Sequence, residues 1–376
     1  MDINTSPLFY KPKKLALARS WLWLNSAFIL FTLITTIIFL THTYPALNSF
    51  LQYGDTGDVA VLGIWDAKTY HNLASIIDGE NFIAFALGNP GLLPPVMLLT
   101  LLGNNPINIF LFNILIFYAS LFSYLKNCNR SISKKILLLI LLNPYIAIVT
   151  LAINKEITAI SSLLFLMSYI KSARKLYAFL AIMLSIFSRF ELLFILIFFL
   201  TARRFTKTKN MHRHIAYLLI ALTVILPQIN FGIELHKTLQ SDLSFGFLSI
   251  LNELQNYYLY IVVFIPKAAI TFFSGLVLLD FANYEFYSSA LFFLLFVGIL
   301  KSGTIDFNND KIFLIAIYII FFSAIAISHH RYMVPIFPIL VIVYVERYAH
   351  VRQNKYKSMP TQDSPIIHLS SFKGTT

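Results

Sequence analysis

Apolar runs of about 20 residues, the length at which a helix crosses about 30 Å of hydrocarbon, recur along this chain from Trp21 to Val345. A chain so built folds as helices in a bilayer. Its composition agrees: 12% of residues are charged, where a soluble domain carries roughly 25%. Hydrophobic residues make up 58% and the mean hydropathy is +0.73. The expectation is an all-α polytopic membrane protein. Residues 1–357 form one transmembrane domain, from which no soluble domain can be cut. Residues 358–376 are polar, with Pro and Ser, and read as a disordered tail.

The net charge of +12 does not point to nucleic acid. The Lys and Arg residues lie in short blocks between apolar runs and at both ends: 11–19, 126–135, 171–175, 203–213, 301–311 and 347–357. That spacing orients a chain in a bilayer. Putting every block in the cytoplasm puts both termini there, with external loops at 41–105 and 230–256. The run from Trp21 to about Leu40 is too long for a signal-peptide core and reads as a retained first span. Residues 81–103 are apolar but interrupted by Asn89-Pro90-Gly91 and Pro94-Pro95, and read as an interfacial helix. The stretch 176–201 is too short to cross twice, so it reads as two short helices with Arg189 and Glu191 at their apex. The stretch 257–280, with Pro266-Lys267, reads as two half-helices or a re-entrant hairpin. The total is about 10 to 12 spans. The one cysteine, Cys128, excludes an intramolecular disulfide.

Ionisable residues at membrane depth are costly and tend to be functional. Here they gather on the predicted outer side: Asp55, Asp58, Asp66, Lys155, Glu156, Arg189, Glu191, Lys267, His329, His330 and Arg331. Each has a plainer reading as a solvated loop carboxylate, a structural pair at a hairpin tip or an interfacial histidine. Their convergence from separate segments favours chemistry. A carboxylate can take a proton from an acceptor hydroxyl, and Lys or Arg can neutralise a phosphate leaving group. Such a set suits transfer from a polyprenyl-phosphate-linked sugar, with aromatic flanks for the lipid tail.

Asp66, Tyr70 and Ala74 form an Asp-x-x-x-Tyr-x-x-x-Ala pattern in the first external loop. Pro94-Pro95-Val96-Met97-Leu98-Leu99 and then Gly103-Asn104 follow. Near the C-terminus, Arg331-Tyr332-Met333-Val334-Pro335 runs on to Pro338. In this order the segments resemble the GT-C superfamily of membrane glycosyltransferases, in the branch of protein O-mannosyltransferases and the lipid A aminoarabinose transferase. The resemblance covers about residues 20–125, the hairpin topology of the middle, and 328–345. It implies a GT-C-like fold in a bacterial inner membrane, a lipid-linked sugar donor, and a glycan or glycolipid acceptor of the cell envelope. It also implies Asp66 as catalytic carboxylate and Arg189 and Arg331 at the donor phosphate. Ala67 stands where the family often has Glu, so Asp55 and Asp58 are further catalytic candidates. The substrate-binding set is Tyr70, Lys155, Glu156, Arg189, Glu191, Lys267, His330, Arg331 and Tyr332. No metal site is assigned, although Asp55, Asp58 and Asp66 could offer a divalent cation oxygen ligands.

Two other readings compete. A repeat-unit polymerase of O-antigen or capsule type would depend on Arg189, Arg331 and the second external loop rather than on Asp66. A transporter or lipid flippase would show inverted repeats and charges near the bilayer centre; the sequence shows no repeat.

Overall fold

The computed structural model describes residues 12–53, 65–76, 91–206, 211–229, 246–277, 281, 283–303, 305–324 and 330–357. Asp55, Asp58, His329, most of the second predicted loop and the tail 358–376 lie outside the described residues. Those described form helices and no strand.

The first apolar run is α1 (Pro12–Ile38), a π turn (Phe39–Thr43) and α2 (Tyr44–Tyr53). Two short helices follow, α3 (Trp65–Ile76) and α4 (Leu93–Leu101). The Pro94-Pro95 pair sits in the first turn of α4, where a helix needs no N–H from its chain. The helix stops at Gly103 and Asn104, both left-handed (φ 72° and 52°), with the Asn104 N–H closing on the Leu99 carbonyl at 2.8 Å. Gly has no Cβ to clash there and Asn tolerates the conformation, which makes this a C-terminal helix stop.

The chain continues as α5 (Pro106–Leu125), α6 (Arg130–Leu141), α7 (Pro144–Leu151), α8 (Lys155–Ser172), α9 (Lys175–Ile186), α10 (Phe190–Thr206) and α11 (Met211–Ile229). Then come α12 (Gly246–Leu254), α13 (Tyr260–Val277), α14 (Tyr284–Lys301), α15 (Asp310–Ser323), two 3-10 turns (His330–Tyr332 and Val334–Ile336) and α16 (Phe337–Lys357). Asparagine starts six of them, and at five its side chain caps the helix. Asn105, Asn143, Asn154, Asn283 and Asn309 each accept a bond from the N–H two residues on, satisfying one of the free donors of a helix start. At Asn143-Pro144 the missing proline N–H adds to this, and α6 and α7 meet at 67°.

Among the described residues, four stretches are by length and composition apolar enough to cross a membrane: Leu22–Gln52, Pro106–Leu125, Ile250–Leu276 and Tyr284–Lys301. The bent pair α6–α7 counts as a fifth. An all-α membrane protein is therefore what the chain forms. The other helices are shorter or more charged: α10 has 17 residues, α15 has 14, and α8 opens on Lys155 and Glu156 and closes on Lys171.

These helices nevertheless join two distinct ends. At one, Arg203 Nε meets Asp310 Oδ2 at 2.9 Å, Lys171 meets Glu346 at 3.4 Å, and Lys311 also pairs with Glu346. The Tyr124 hydroxyl donates to Glu346 Oε1 at 3.0 Å. Lys126, Lys134 and Lys135 lie there over the rings of Tyr177, Trp23 and Tyr348. The basic blocks at 126–135, 171–175, 203–213, 301–311 and 347–357 therefore share one end. At the other end lie the starts of α3, α8 and α14, the turn into α10, and Arg331. Between the ends α8 is the most enclosed helix, with Ile157, Ile160, Leu163, Leu164, Leu166 and Met167 all at 0% exposure.

One expected break is displaced. Pro266 lies inside α13, and the interruption falls at Tyr257 (φ −91°, ψ 28°) and Tyr258 (φ 63°, ψ 24°). Lys267 Nζ donates to Gln255 Oε1, twelve residues earlier, at 2.5 Å. A straight helix would set those residues about 18 Å apart along its axis, farther than the two side chains can bridge. So the 27-residue apolar stretch Ile250–Leu276 is not one straight span: the chain doubles back at the two tyrosines.

Where α13 meets α14, the Phe272–Phe292 and Phe273–Phe293 rings pack edge to face. A Cβ on Gly275 would stand 2.5 Å from the Glu285 carbonyl oxygen and 2.5 Å from Ser289 Oγ. Gly275→Ala should therefore push the helices apart and cost about 1–3 kcal/mol. A melting midpoint in detergent equal to that of wild type would show that the helices are not in such close contact.

Candidate functional site

Asp66 stands in the first turn of α3, where a carboxylate faces the positive end of the helix dipole. The helix is held by a small core of its own. Ala67 and Tyr70 pack with Leu47, Val96, Leu98, Leu99 and Ile109, and with Ala152 and Ile153 before α8. One residue past Tyr70, the buried His71 ring meets Asn104 Oδ1 at 2.6 Å, while Asn104 Nδ2 donates to the His71 carbonyl at 3.2 Å. Burial holds the imidazole below its usual pKa, against the Asn104 bonds. The neutral ring fastens α3 to the left-handed turn after α4.

From this anchorage Asp66 Oδ2 accepts a bond from Arg331 at 2.7 Å. The pair joins residues 265 apart in the chain. It is partly open, with side-chain exposures of 40% and 35%. Beside it lies a closed pair: Arg189 and Glu156 meet at 2.5 Å with 9% and 3% exposure. Tyr332 joins the two, since its ring lies under both guanidinium groups, 4.4 Å from that of Arg189 and 5.4 Å from that of Arg331. The Tyr318 hydroxyl holds the Tyr332 carbonyl at 2.8 Å. Lys155 donates to the Gly91 carbonyl at 2.5 Å and lies over the Tyr70 ring.

Electrostatics follow from this crowding. Burial raises the Tyr70 pKa, and the Asp66 and Glu156 charges raise it further, so the phenol keeps its proton. Burial opposes the Arg331 charge, but Glu156, Tyr332 and Asp66 more than offset it and raise its pKa. Arg331 is a permanent cation.

Of the residues singled out from sequence, Asp66, Tyr70, Lys155, Glu156, Arg189, Arg331 and Tyr332 come together. Glu191 lies within electrostatic range of Arg189. His330 is placed differently. It is fully buried behind the cluster, its Nδ1 3.1 Å from the Phe272 carbonyl and its Nε2 2.8 Å from Ser288 Oγ. Lys267, expected to bind substrate, is enclosed in α13 and bonded to Gln255.

Sequence reasoning missed Tyr145, Tyr284 and Glu285. The Tyr145 ring packs against Tyr284 at 5.2 Å and His330 at 6.3 Å, and Glu285 lies within electrostatic range of Arg331. The available signal was the capping asparagine. Tyr145 follows Asn143, Tyr284 and Glu285 follow Asn283, and Lys155 and Glu156 follow Asn154, so each sits in a first helical turn. Among the described residues no group of three His, Cys, Asp or Glu side chains is arranged for a metal ion.

No protein-family model, curated protein or solved structure matches this chain. Its function is therefore read from the residues and their geometry.

Proposed function

We propose that this protein is a GT-C-type glycosyltransferase. It takes a sugar from a polyprenyl-phosphate-linked donor and passes it to a glycan or glycolipid acceptor at the outer face of a bacterial inner membrane. The observation that carries this reading is the partly open Asp66–Arg331 pair, set beside Lys155 and the closed Arg189–Glu156 pair. In this orientation the basic end, with both termini, faces the cytoplasm, as the distribution of Lys and Arg favours. The shorter helices complete about ten crossings.

The chemistry asks for two groups. Asp66 takes the proton of the acceptor hydroxyl as its oxygen attacks the sugar carbon. The bond from that carbon to the phosphate oxygen breaks, and the polyprenyl phosphate leaves with the electron pair. Arg331 receives the charge gathering on that phosphate, as a guanidinium fork does well. In the resting arrangement Arg331 is engaged by Asp66. A donor phosphate that draws Arg331 to itself frees the carboxylate to act as base, which couples donor binding to activation of the acceptor. The half-buried Tyr284 ring, backed by Tyr145 at 5.2 Å, offers an aromatic face of the kind that holds a sugar.

The reading is tested with protein in lipid vesicles and a polyprenyl-phosphate-linked sugar, by following the release of polyprenyl phosphate. Arg331→Ala should raise the donor KM roughly 10- to 100-fold, the worth of a charge-assisted hydrogen bond. Unchanged KM and turnover would exclude Arg331 from the phosphate.

One observation favours a second reading. The ion pairs at the basic end, Lys171–Glu346–Lys311 and Arg203–Asp310, oppose those at the site end as two gates of a transporter would. Passage of intact lipid-linked sugar across the vesicle, with no sugar transfer, would establish that reading.

A further inference from the structure

Lys267 is at 0% exposure in an apolar helix, and its hydrogen-bond partner is a neutral amide, Gln255 Oε1. A polar group buried there needs a hydrogen-bond partner, and that partner is Gln255. Its Nε2 donates to the Ala324 carbonyl at 3.1 Å, at the C-cap of α15, and the Tyr260 hydroxyl donates to the Ile320 carbonyl one turn earlier. The last carbonyls of a helix lack N–H partners and carry the negative end of its dipole. Lys267 is thus joined to the end of α15 through one amide.

The same helix, α13, holds the chain again beyond this point. A carbonyl oxygen only accepts, so the His330 Nδ1–H donates to the Phe272 carbonyl and Nε2 accepts from the Ser288 hydroxyl. The α12–α13 segment, doubled back at Tyr257–Tyr258, therefore grips the chain at Ala324 and again at His330. The next residue is Arg331, which meets Asp66.

We infer that Lys267 is a positioning residue: by tying the doubled-back α12–α13 hairpin to the end of α15, it sets where Arg331 stands against Asp66. The inference deepens the transferase reading, on which the importance of that pair rests, and its test is chosen to stand apart from it. With Cys128 replaced by Ser, cysteines introduced as Asp66→Cys and Arg331→Cys can be bridged by a short bifunctional thiol reagent in intact membranes. Adding Lys267→Met should slow bridging about tenfold, within the range by which a remote packed group shifts a site, and Lys267→Arg should restore it. In the protein with Asp66 and Arg331 intact, Lys267→Met should raise donor KM, again with rescue by Lys267→Arg.

A bridging rate indifferent to Lys267→Met overturns the positioning role, even if transfer is lost. Bridging that depends on Lys267 in a protein that transfers no sugar upholds it and removes the transferase reading instead. Should Lys267→Met not accumulate, Gln255→Leu breaks the same link. If neither variant accumulates, Lys267 serves folding and the positioning role is overturned.

Discussion

Asp66→Asn is expected to insert and accumulate like the wild-type protein while losing sugar transfer by about 100- to 10,000-fold, the usual worth of a general base. The two halves of this expectation have separate causes. The Asp66 carboxylate is 40% exposed, so its neutralisation buries no lone charge. An amide oxygen in its place can still accept the Arg331 bond. Surface ion pairs of this kind are worth about 0–1 kcal/mol, too little to unfold a helical bundle. Proton transfer, in contrast, fails, because an amide does not accept a proton near neutral pH. Membranes carrying each form, matched for protein abundance, provide the comparison. Full activity in the variant would remove Asp66 from the mechanism.

The second large effect falls on stability. Glu156 and Arg189 are nearly sealed from solvent, and removing one member of a buried pair leaves the other uncompensated, at a cost of about 3–5 kcal/mol. Glu156→Gln and Arg189→Met should each lower the amount of folded protein sharply, as read by thermal midpoint and by the fraction that elutes as a monodisperse peak. The double variant Glu156→Met with Arg189→Met should recover much of the loss, since replacing both charges with apolar groups is often nearly neutral. This separates the two arginines that sequence alone put on a par: Arg331 is open enough to meet a ligand, whereas Arg189 braces Tyr332 from within. A stable Arg189→Met protein with a weakened donor KM would instead make Arg189 a phosphate ligand.

Much of the architecture was written in local pattern. The apolar run ending at Leu125 and the Pro-Pro start and Gly stop of α4 follow from propensity and capping rules that act within one or two turns. The two short helices around Arg189 follow from length alone. What was not legible depends on contacts across the chain. Pro266 looked like the break because proline lacks an N–H. The break lies instead at Tyr257–Tyr258, where the Lys267–Gln255 bond across twelve residues closes a reversal that no local signal marks.

The site divides in the same way. Asp66 and Arg331 stood out as charges beside apolar runs, but their pairing across 265 positions is a product of packing. Lys267 and His330 stood out for the same reason, and both are fully buried. Tyr145, Tyr284 and Glu285 escaped notice because an aromatic or acidic residue near a helix start is unremarkable until packing brings the starts of α7, α8 and α14 to one end.

The most direct test supplies lipid-linked sugars to membranes carrying wild-type protein or Asp66→Asn and follows product size. Addition of a single sugar, lost in Asp66→Asn, is the predicted result. A ladder of repeats that survives Asp66→Asn but disappears in Arg331→Ala would contradict the account and make the protein a polymerase.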